Sequence, residues 1–265
     1  MKKIGFIGAG NMATAIIDGL IRSDAKQAEN ITVFDVIDEK LEIMRTKGVN
    51  TSVSVSDVTK ESDIIVLAVK PQNYAEVLAE VKKTINTSKI IVTIAAGIST
   101  DYIAKKIECD CPMVRVMPNT PLLLGVGASA LSRRNIADED FAYVYKMFSN
   151  GGVAEILDES QMNSVIAVNG SSPAYVYLFA KAMIDYAKSQ GIAEDKALRL
   201  VCATLKGSAE MLEHSGDSAD ILIKKVSSPG GTTLKALEKL DEKDFYNGII
   251  EAMEACTNRA NELSR

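Results

Sequence analysis

Ile4-Gly5-Phe6-Ile7-Gly8-Ala9-Gly10-Asn11-Met12-Ala13 is a short apolar run that breaks on glycines and leads into an amphipathic stretch. A Gly-x-Gly-x-x-Ala pattern directly after a strand and at the opening of a helix (11–23) is the fingerprint of a dinucleotide-binding turn. Gly8 permits the tight turn. Gly10 lets the backbone approach a pyrophosphate with no Cβ in the way, and Ala13 is small enough for helix to pack on strand. The helix N-terminus then offers free amides and a positive dipole end to phosphate. Ile7, Gly8, Gly10, Asn11 and Met12 are the cofactor residues expected here.

The pattern outward from this turn supports an α/β fold. Apolar runs at 31–34, 63–69, 89–94 and 113–117 predict strands, and 39–47 predicts a helix closed by Gly48. Continuous Val/Ile runs are the mark of strands buried on both faces, as in parallel sheets. Strand–helix alternation makes this a Rossmann-type doubly wound sheet. Residues 126–131 and 152–156 read as later, less regular strands, and 138–148 as a helix. After about residue 158 only helical spacing remains, at 162–190, 195–214, 219–226 and 244–263. The expected organisation is a dinucleotide-binding domain, 1–158, followed by an all-helical C-terminal domain, 159–265, suited to packing against a second subunit.

Asp35 ends the second strand, about 20 residues past the glycine turn. An acid there accepts hydrogen bonds from the adenosine ribose hydroxyls of NAD and repels the 2′-phosphate of NADP. No Arg follows it, so the physics favours NADH. The strand ends Ala68-Val69-Lys70-Pro71 and Ala95-Ala96-Gly97 fall where an open α/β sheet binds its ligand. Lys70 reads either as a cofactor or carboxylate contact or as a solvated lysine before a turn.

In the helical half, Val226-Ser227-Ser228-Pro229-Gly230-Gly231-Thr232-Thr233 sets a tight turn before another helix. That is either a carboxylate site made of backbone amides or an interhelical turn capped by a hydroxyl. Asn169-Gly170-Ser171-Ser172-Pro173-Ala174-Tyr175 is polar within an apolar stretch. It reads either as a kink beside the cofactor or as a packing kink.

Composition narrows the class. The chain has 265 residues, 47% hydrophobic, 25% charged, with a formal net charge of −5. That permits two domains and argues against nucleic acid or an anionic membrane as partner. No apolar stretch is long enough to span a bilayer, and no secretory signal is read. The four cysteines, Cys109, Cys111, Cys202 and Cys256, form no disulfide framework, and Cys109-Asp110-Cys111 lacks a second ligand pair, so no metal is expected. A reducing cytoplasm is the simplest compartment. The one histidine, His214, reads as the frayed end of a helix.

Taken together, these motifs resemble the pyrroline-5-carboxylate reductase family. The likeness runs nearly end to end: the first glycine turn, Ala68 to Pro71, Ala95 to Gly97, Met117-Pro118-Asn119-Thr120-Pro121, Gly170 to Tyr175, and Ser228 to Thr233. The resemblance implies reduction of 1-pyrroline-5-carboxylate to L-proline, the last step of proline biosynthesis, with NAD(P)H as donor. It implies that Lys70 and Pro71 lie beside the cofactor with Ala68, Val69, Ala96 and Gly97. Pro118, Asn119 and Ser172 would line the cleft. Ser228 and the amides of Gly230, Gly231 and Thr232 would hold the substrate carboxylate, with the Thr233 hydroxyl near the ring nitrogen. It further implies a homodimer through the helical domain, and a larger ring of dimers. Two positions depart from the family: Gly216 stands where relatives carry an acid, and Asp35 where NADPH users carry a small or hydroxyl residue.

The residue inventory suits an imine. Ketone reduction leaves an alkoxide and calls for a general acid such as His, Tyr or Lys. An imine nitrogen arrives already protonated near neutral pH, so positioning and electrostatics suffice. Two other readings compete. A β-hydroxyacid dehydrogenase would carry a helical Lys with an Asn four residues on, but Asp185 follows Lys181 at that spacing. A dinucleotide-sensing regulator would have no use for a second glycine turn.

Overall fold

A computed structural model describes residues 1–264. Eight strands form one sheet: β1 (Ile4–Ile7), β2 (Ile31–Phe34), β3 (Asn50–Thr51), β4 (Ile64–Leu67), β5 (Ile90–Thr93), β6 (Met113–Pro118), β7 (Gly127–Arg134) and β8 (Gly152–Ile156). Their order is β3-β2-β1-β4-β5-β6-β7-β8. All neighbours run parallel except β6 and β7, which are antiparallel. The chain reverses its winding between β1 and β4, the place where such sheets open a crevice for a ligand.

The apolar runs explain the layers. Every residue of β1, β4 and β5 is buried. Side chains alternate across the sheet, so Ile64, Val66, Ile90, Val92, Val114 and Val116 enter one core, while Ile65, Leu67, Ile91 and Met113 enter the other. The first core is covered by α1 (Asn11–Ser23), α2 (Asp38–Thr46) and α6 (Asp138–Ser149). The second is covered by α3 (Val55–Glu61), α4 (Tyr74–Val81) and α5 (Thr100–Ile107). Burying each such aliphatic side chain contributes about 1.5–3 kcal/mol.

Polar groups in these cores are matched. Tyr74 is fully buried at the start of α4. Its hydroxyl donates to the Leu67 carbonyl at 2.9 Å and shares a 2.8 Å hydrogen bond with Thr93 Oγ1. Burial raises its phenol above the ordinary range, which keeps it neutral. Tyr74→Phe is expected to lower stability by about 1 kcal/mol in urea denaturation, the net worth of a buried hydrogen bond. An unchanged midpoint would show that Thr93 repairs the site alone.

The structure corrects the sequence expectations at several points. The strand expected over 126–131 is β7, the longest at 8 residues; its residues 129–134 pair with β6 and 127–131 with β8. The predicted helix over 162–190 is helical in pieces: a π-helical turn (Ile166–Gly170), then α7 (Ser172–Ser189). The Ser171 N–H donates to the Ile166 carbonyl at 2.7 Å, the i to i+5 bond of a π-turn. Gly170 sits where a Cβ would stand 2.5 Å from Met117 Cε.

The remaining helices are α8 (Glu194–His214), α9 (Ala219–Lys225), α10 (Thr232–Asp241) and α11 (Phe245–Leu263). The chain divides into two compact units, one comprising Met1–Ser172 with Ala255–Arg265, the other Pro173–Glu254. Within the second unit, α7, α9 and α10 contain no buried residue. Val176, Leu178 and Tyr186 of α7, Leu200 of α8 and Ile223 of α9 are exposed.

Candidate functional site

The first glycine turn joins β1 to α1. Gly8 has φ +105°, and a Cβ there would stand 2.7 Å from the Ala68 carbonyl oxygen at the end of β4. Its N–H donates to the Phe34 carbonyl at 2.7 Å, and the Ala68 N–H donates to the Ile7 carbonyl at 2.9 Å. The turn is thereby fastened to β2 and β4, the strands on either side of β1. Gly10 is the N-cap of α1, and no side chain caps this helix. The first-turn amides of α1, those of Asn11, Met12 and Ala13, have no partner inside the helix. A Cβ on Gly10 would meet nothing within 4 Å. Open space over bare helix amides is the cradle that a pyrophosphate fits.

Asp35 is more committed than expected. Its Oδ2 accepts from the Ala9 N–H at 2.8 Å and lies 3.4 Å from Lys40 Nζ, and its Oδ1 accepts from the Ile37 N–H at 3.0 Å. The side chain is 9% exposed. A carboxylate accepts about four hydrogen bonds, so three donors leave about one position for a ribose hydroxyl. Asp35 braces the glycine turn as well as facing it. Lys40 escaped the sequence reading, although Asp35 followed five residues later by a Lys on the next helix was visible there.

The other strand ends differ among themselves. Val69 is half-buried, with its Cγ1 against Gly8; Lys70 is exposed; Pro71 opens a short 3-10 turn. Ala96 is half-buried, whereas Gly97 is buried, with φ +74°, against Ala260 and Leu263 of α11. Pro118 and Asn119 are buried at the end of β6. Asn119 Oδ1 accepts from the Ala128 N–H at 2.9 Å, so this side chain ties β6 to β7. Asn169, in the segment expected to kink, donates Nδ2 to the carbonyls of Met117 at 2.8 Å and Ala128 at 3.1 Å. Its Oδ1 is buried with no partner. Ser172, half-buried, begins α7, and its neighbour Ser171 accepts from Cys256 Sγ at 3.3 Å.

Ser228, Gly230, Gly231, Thr232 and Thr233 belong to the second unit. The Gly231 N–H donates to the Ser228 carbonyl at 2.9 Å, with Pro229 and Gly230 (φ +71°) between them. Proline second and a positive-φ glycine third are the marks of a type II turn. A Cβ on Gly231 would stand 2.6 Å from Ser228 Oγ. The Gly231 amide, expected to hold a carboxylate, is thus spent on closing the turn. Gly231 is the N-cap of α10 and no side chain caps it. Thr232 and Thr233, the first helical residues, carry the amides that helix geometry leaves unpaired. Like α1, α10 thus begins at a glycine turn with no side-chain cap.

Other titratable groups stand apart from such chemistry. His214 is 65% exposed at the end of α8, with Nε2 3.3 Å from Glu210. Lys181 is exposed and ion-paired to Asp185. Cys111 is buried, its thiol pushed up to about 12 by burial first and by Cys109 second.

Comparison with known proteins adds to this geometry. Residues 159–263 match the family model for pyrroline-5-carboxylate reductase dimerisation, and residues 3–97 match that for NADP oxidoreductase, coenzyme F420-dependent. The chain is 38% identical over 266 residues to the pyrroline-5-carboxylate reductase of Escherichia coli, covering 100% of this chain and 99% of that one. It is 35% identical to the enzyme of that name from Arabidopsis thaliana, covering 99% and 96%. Among solved structures, a Plasmodium falciparum pyrroline carboxylate reductase with NADP bound superposes with a TM-score of 0.92 at 29% identity, covering 100% of this chain and 98% of that one. The sheet order, the uncapped first helix and these matches define an NAD(P)H-dependent oxidoreductase with a helical dimerisation domain. The matches run through both glycine turns. The chain belongs to the pyrroline-5-carboxylate reductase family.

Proposed function

We propose that this chain reduces 1-pyrroline-5-carboxylate to L-proline, with the cofactor's pyrophosphate at the first glycine turn and the substrate's carboxylate at the second. The observation that carries the assignment of roles is the pair of turns: each opens a helix that no side chain caps. The nicotinamide supplies the hydride when bound. The protein's work is then to hold and orient. The Thr232 and Thr233 amides face the carboxylate, and the Thr233 hydroxyl hydrogen-bonds the ring nitrogen. No strong acid is needed, because the imine brings its own proton, which agrees with the peripheral place of His214. Mixing the protein with NADH or NADPH and pyrroline-5-carboxylate tests this. Reduced cofactor is expected to disappear in step with proline formed, and no proline with either cofactor overturns it.

We infer a preference for NADH. Asp35 places a carboxylate at the end of β2, with Lys40 Nζ 3.4 Å away. Asp35→Ser is expected to move the ratio of NADPH to NADH affinity about 10-fold toward NADPH, roughly 1.4 kcal/mol. The ratio is the readout, since both affinities drop when the Ala9 N–H loses its acceptor. A parent protein that binds NADPH clearly better than NADH would sink the inference.

The exposed apolar residues of α7, α8 and α9 support a homodimer through the helical domain, and the family resemblance suggests a larger ring of dimers. Light scattering distinguishes a dimer from a larger ring. A reducing cytoplasm suits the four free cysteines.

A further inference from the structure

The last turn of α11 is tied to the sheet by contacts that an ordinary exposed helix end has no need of. They start at Arg115 on β6, opposite Thr93 of β5 and only 5% exposed. Its guanidinium donates to Glu159 Oε1 at 3.1 Å and to Asn163 Oδ1 at 2.6 Å. Glu159 also accepts from the Thr100 N–H at 3.3 Å and from Ser132 Oγ at 2.5 Å. Asn163, its acceptor spent on the arginine, turns its Nδ2 to Asn261 Oδ1 at 2.9 Å and Ser264 Oγ at 2.7 Å. Ser264 Oγ in turn donates to the Ala260 carbonyl at 3.1 Å. One chain of hydrogen bonds therefore runs from a buried cation in the sheet to the final turn of the last helix.

The same turn presses on the loop that follows β5. Gly97 has φ +74°, and a Cβ there would stand 3.1 Å from Leu263 Cβ and 3.3 Å from both the Ala260 oxygen and the Leu263 carbonyl carbon. Ala260 is 4% exposed. The segment Ala95-Ala96-Gly97 has almost no side chain with which to hold its own shape. Its conformation is set by what packs on it, and Ala260 and Leu263 pack there.

We infer that residues 260–264 are a positioning element for the cofactor, and that Asn261 and Ser264, anchored through Asn163, hold the 95–97 loop in the shape the dinucleotide meets. This rests on the reading that Ala96 and Gly97 line the cofactor cleft. The double variant Asn261→Ala/Ser264→Ala removes the anchor and leaves Arg115, Glu159 and Asn163 bonded to one another. The dissociation constant of the reduced cofactor, followed by nicotinamide fluorescence, is expected to rise about 5- to 20-fold for the two lost hydrogen bonds to Asn163 and that of Ser264 to the Ala260 carbonyl. At saturating cofactor, kcat and the KM for the imine are expected to change less than about 2-fold, because the substrate's own contacts are untouched. Hydrogen exchange at the 95–97 amides is expected to quicken. Ser264→Thr alone keeps the hydroxyl and is expected to hold most of the affinity. Ala96→Val separates the two readings. If it leaves cofactor binding unchanged, the loop is no part of the cleft and both readings fall. If it weakens binding while the double variant does not, the positioning role alone falls.

Discussion

Gly10→Val is expected to raise the cofactor dissociation constant at least about 100-fold while stability moves by no more than about 1 kcal/mol. The reason is where the new atoms go. Gly10 has φ −76° and ψ 179°, an extended conformation that valine adopts readily, and a Cβ there meets nothing within 4 Å. The protein has no objection to the substitution. The branched side chain instead fills the space over the bare amides of α1, and charge-assisted hydrogen bonds to phosphate are each worth about 1.5–3 kcal/mol. Losing two of them accounts for the 100-fold. Gly8→Ala, two residues away, inverts the result. Its φ of +105° and the 2.7 Å approach to the Ala68 oxygen make the methyl a problem for the fold itself. Backbone strain and overpacking together are expected to remove about 2–5 kcal/mol of stability. Calorimetric titration with NADH and with NADPH, run beside thermal denaturation, checks both. Tight binding by Gly10→Val to either cofactor would move the pyrophosphate away from this turn.

The two glycines also show which features the sequence reveals. Gly8, Gly10 and Ala13 are legible because their roles are local: a turn, an approach and a packing contact within six residues. The buried strands β1, β4, β5 and β6 and the long helices α8 and α11 are legible for a similar reason, since each carries its own apolar period. The helices α3, α4 and α5 have 7–8 residues each, too few turns to display one. In α3 and α5 the caps carry the signal, Ser54 accepting from the Asp57 N–H and Ser99 from the Tyr102 N–H, whereas α4 has no side-chain cap. The candidate site divides along the same line. The two glycine turns stand out as motifs. The bracing of Ala9 by Asp35, the bridge from Asn169 to Met117 and Ala128, and the contact of Gly97 with Leu263 join residues 26 to 166 positions apart, and nothing local announces them. Even within a recognised motif, geometry reassigned a group: the Gly231 amide closes its own turn.

That reassignment concentrates the demand on Thr233. Thr233→Val keeps the shape of the side chain and removes only the hydroxyl, at a half-buried position in the first turn of α10. Stability is expected to hold within about 1 kcal/mol, since no side-chain cap is lost there. Turnover is expected to drop about 10- to 1000-fold, the loss of one aligned hydrogen bond worth roughly 1.5–4 kcal/mol in the transition state. The KM for the imine should move less, because the Thr232 and Thr233 amides proposed to hold the carboxylate are unchanged. Thr233→Ser restores the hydroxyl and should recover part of the rate. The pH profile then separates orientation from proton relay. If Thr233 only orients the ring, Thr233→Val lowers kcat at every pH and leaves the pH at which activity falls where it was, because that limb belongs to the imine's own proton. If the limb shifts, Thr233 carries a proton during the reaction. Undiminished turnover in a folded Thr233→Val variant would take Thr233 out of the chemistry and leave the second turn as a carboxylate site alone.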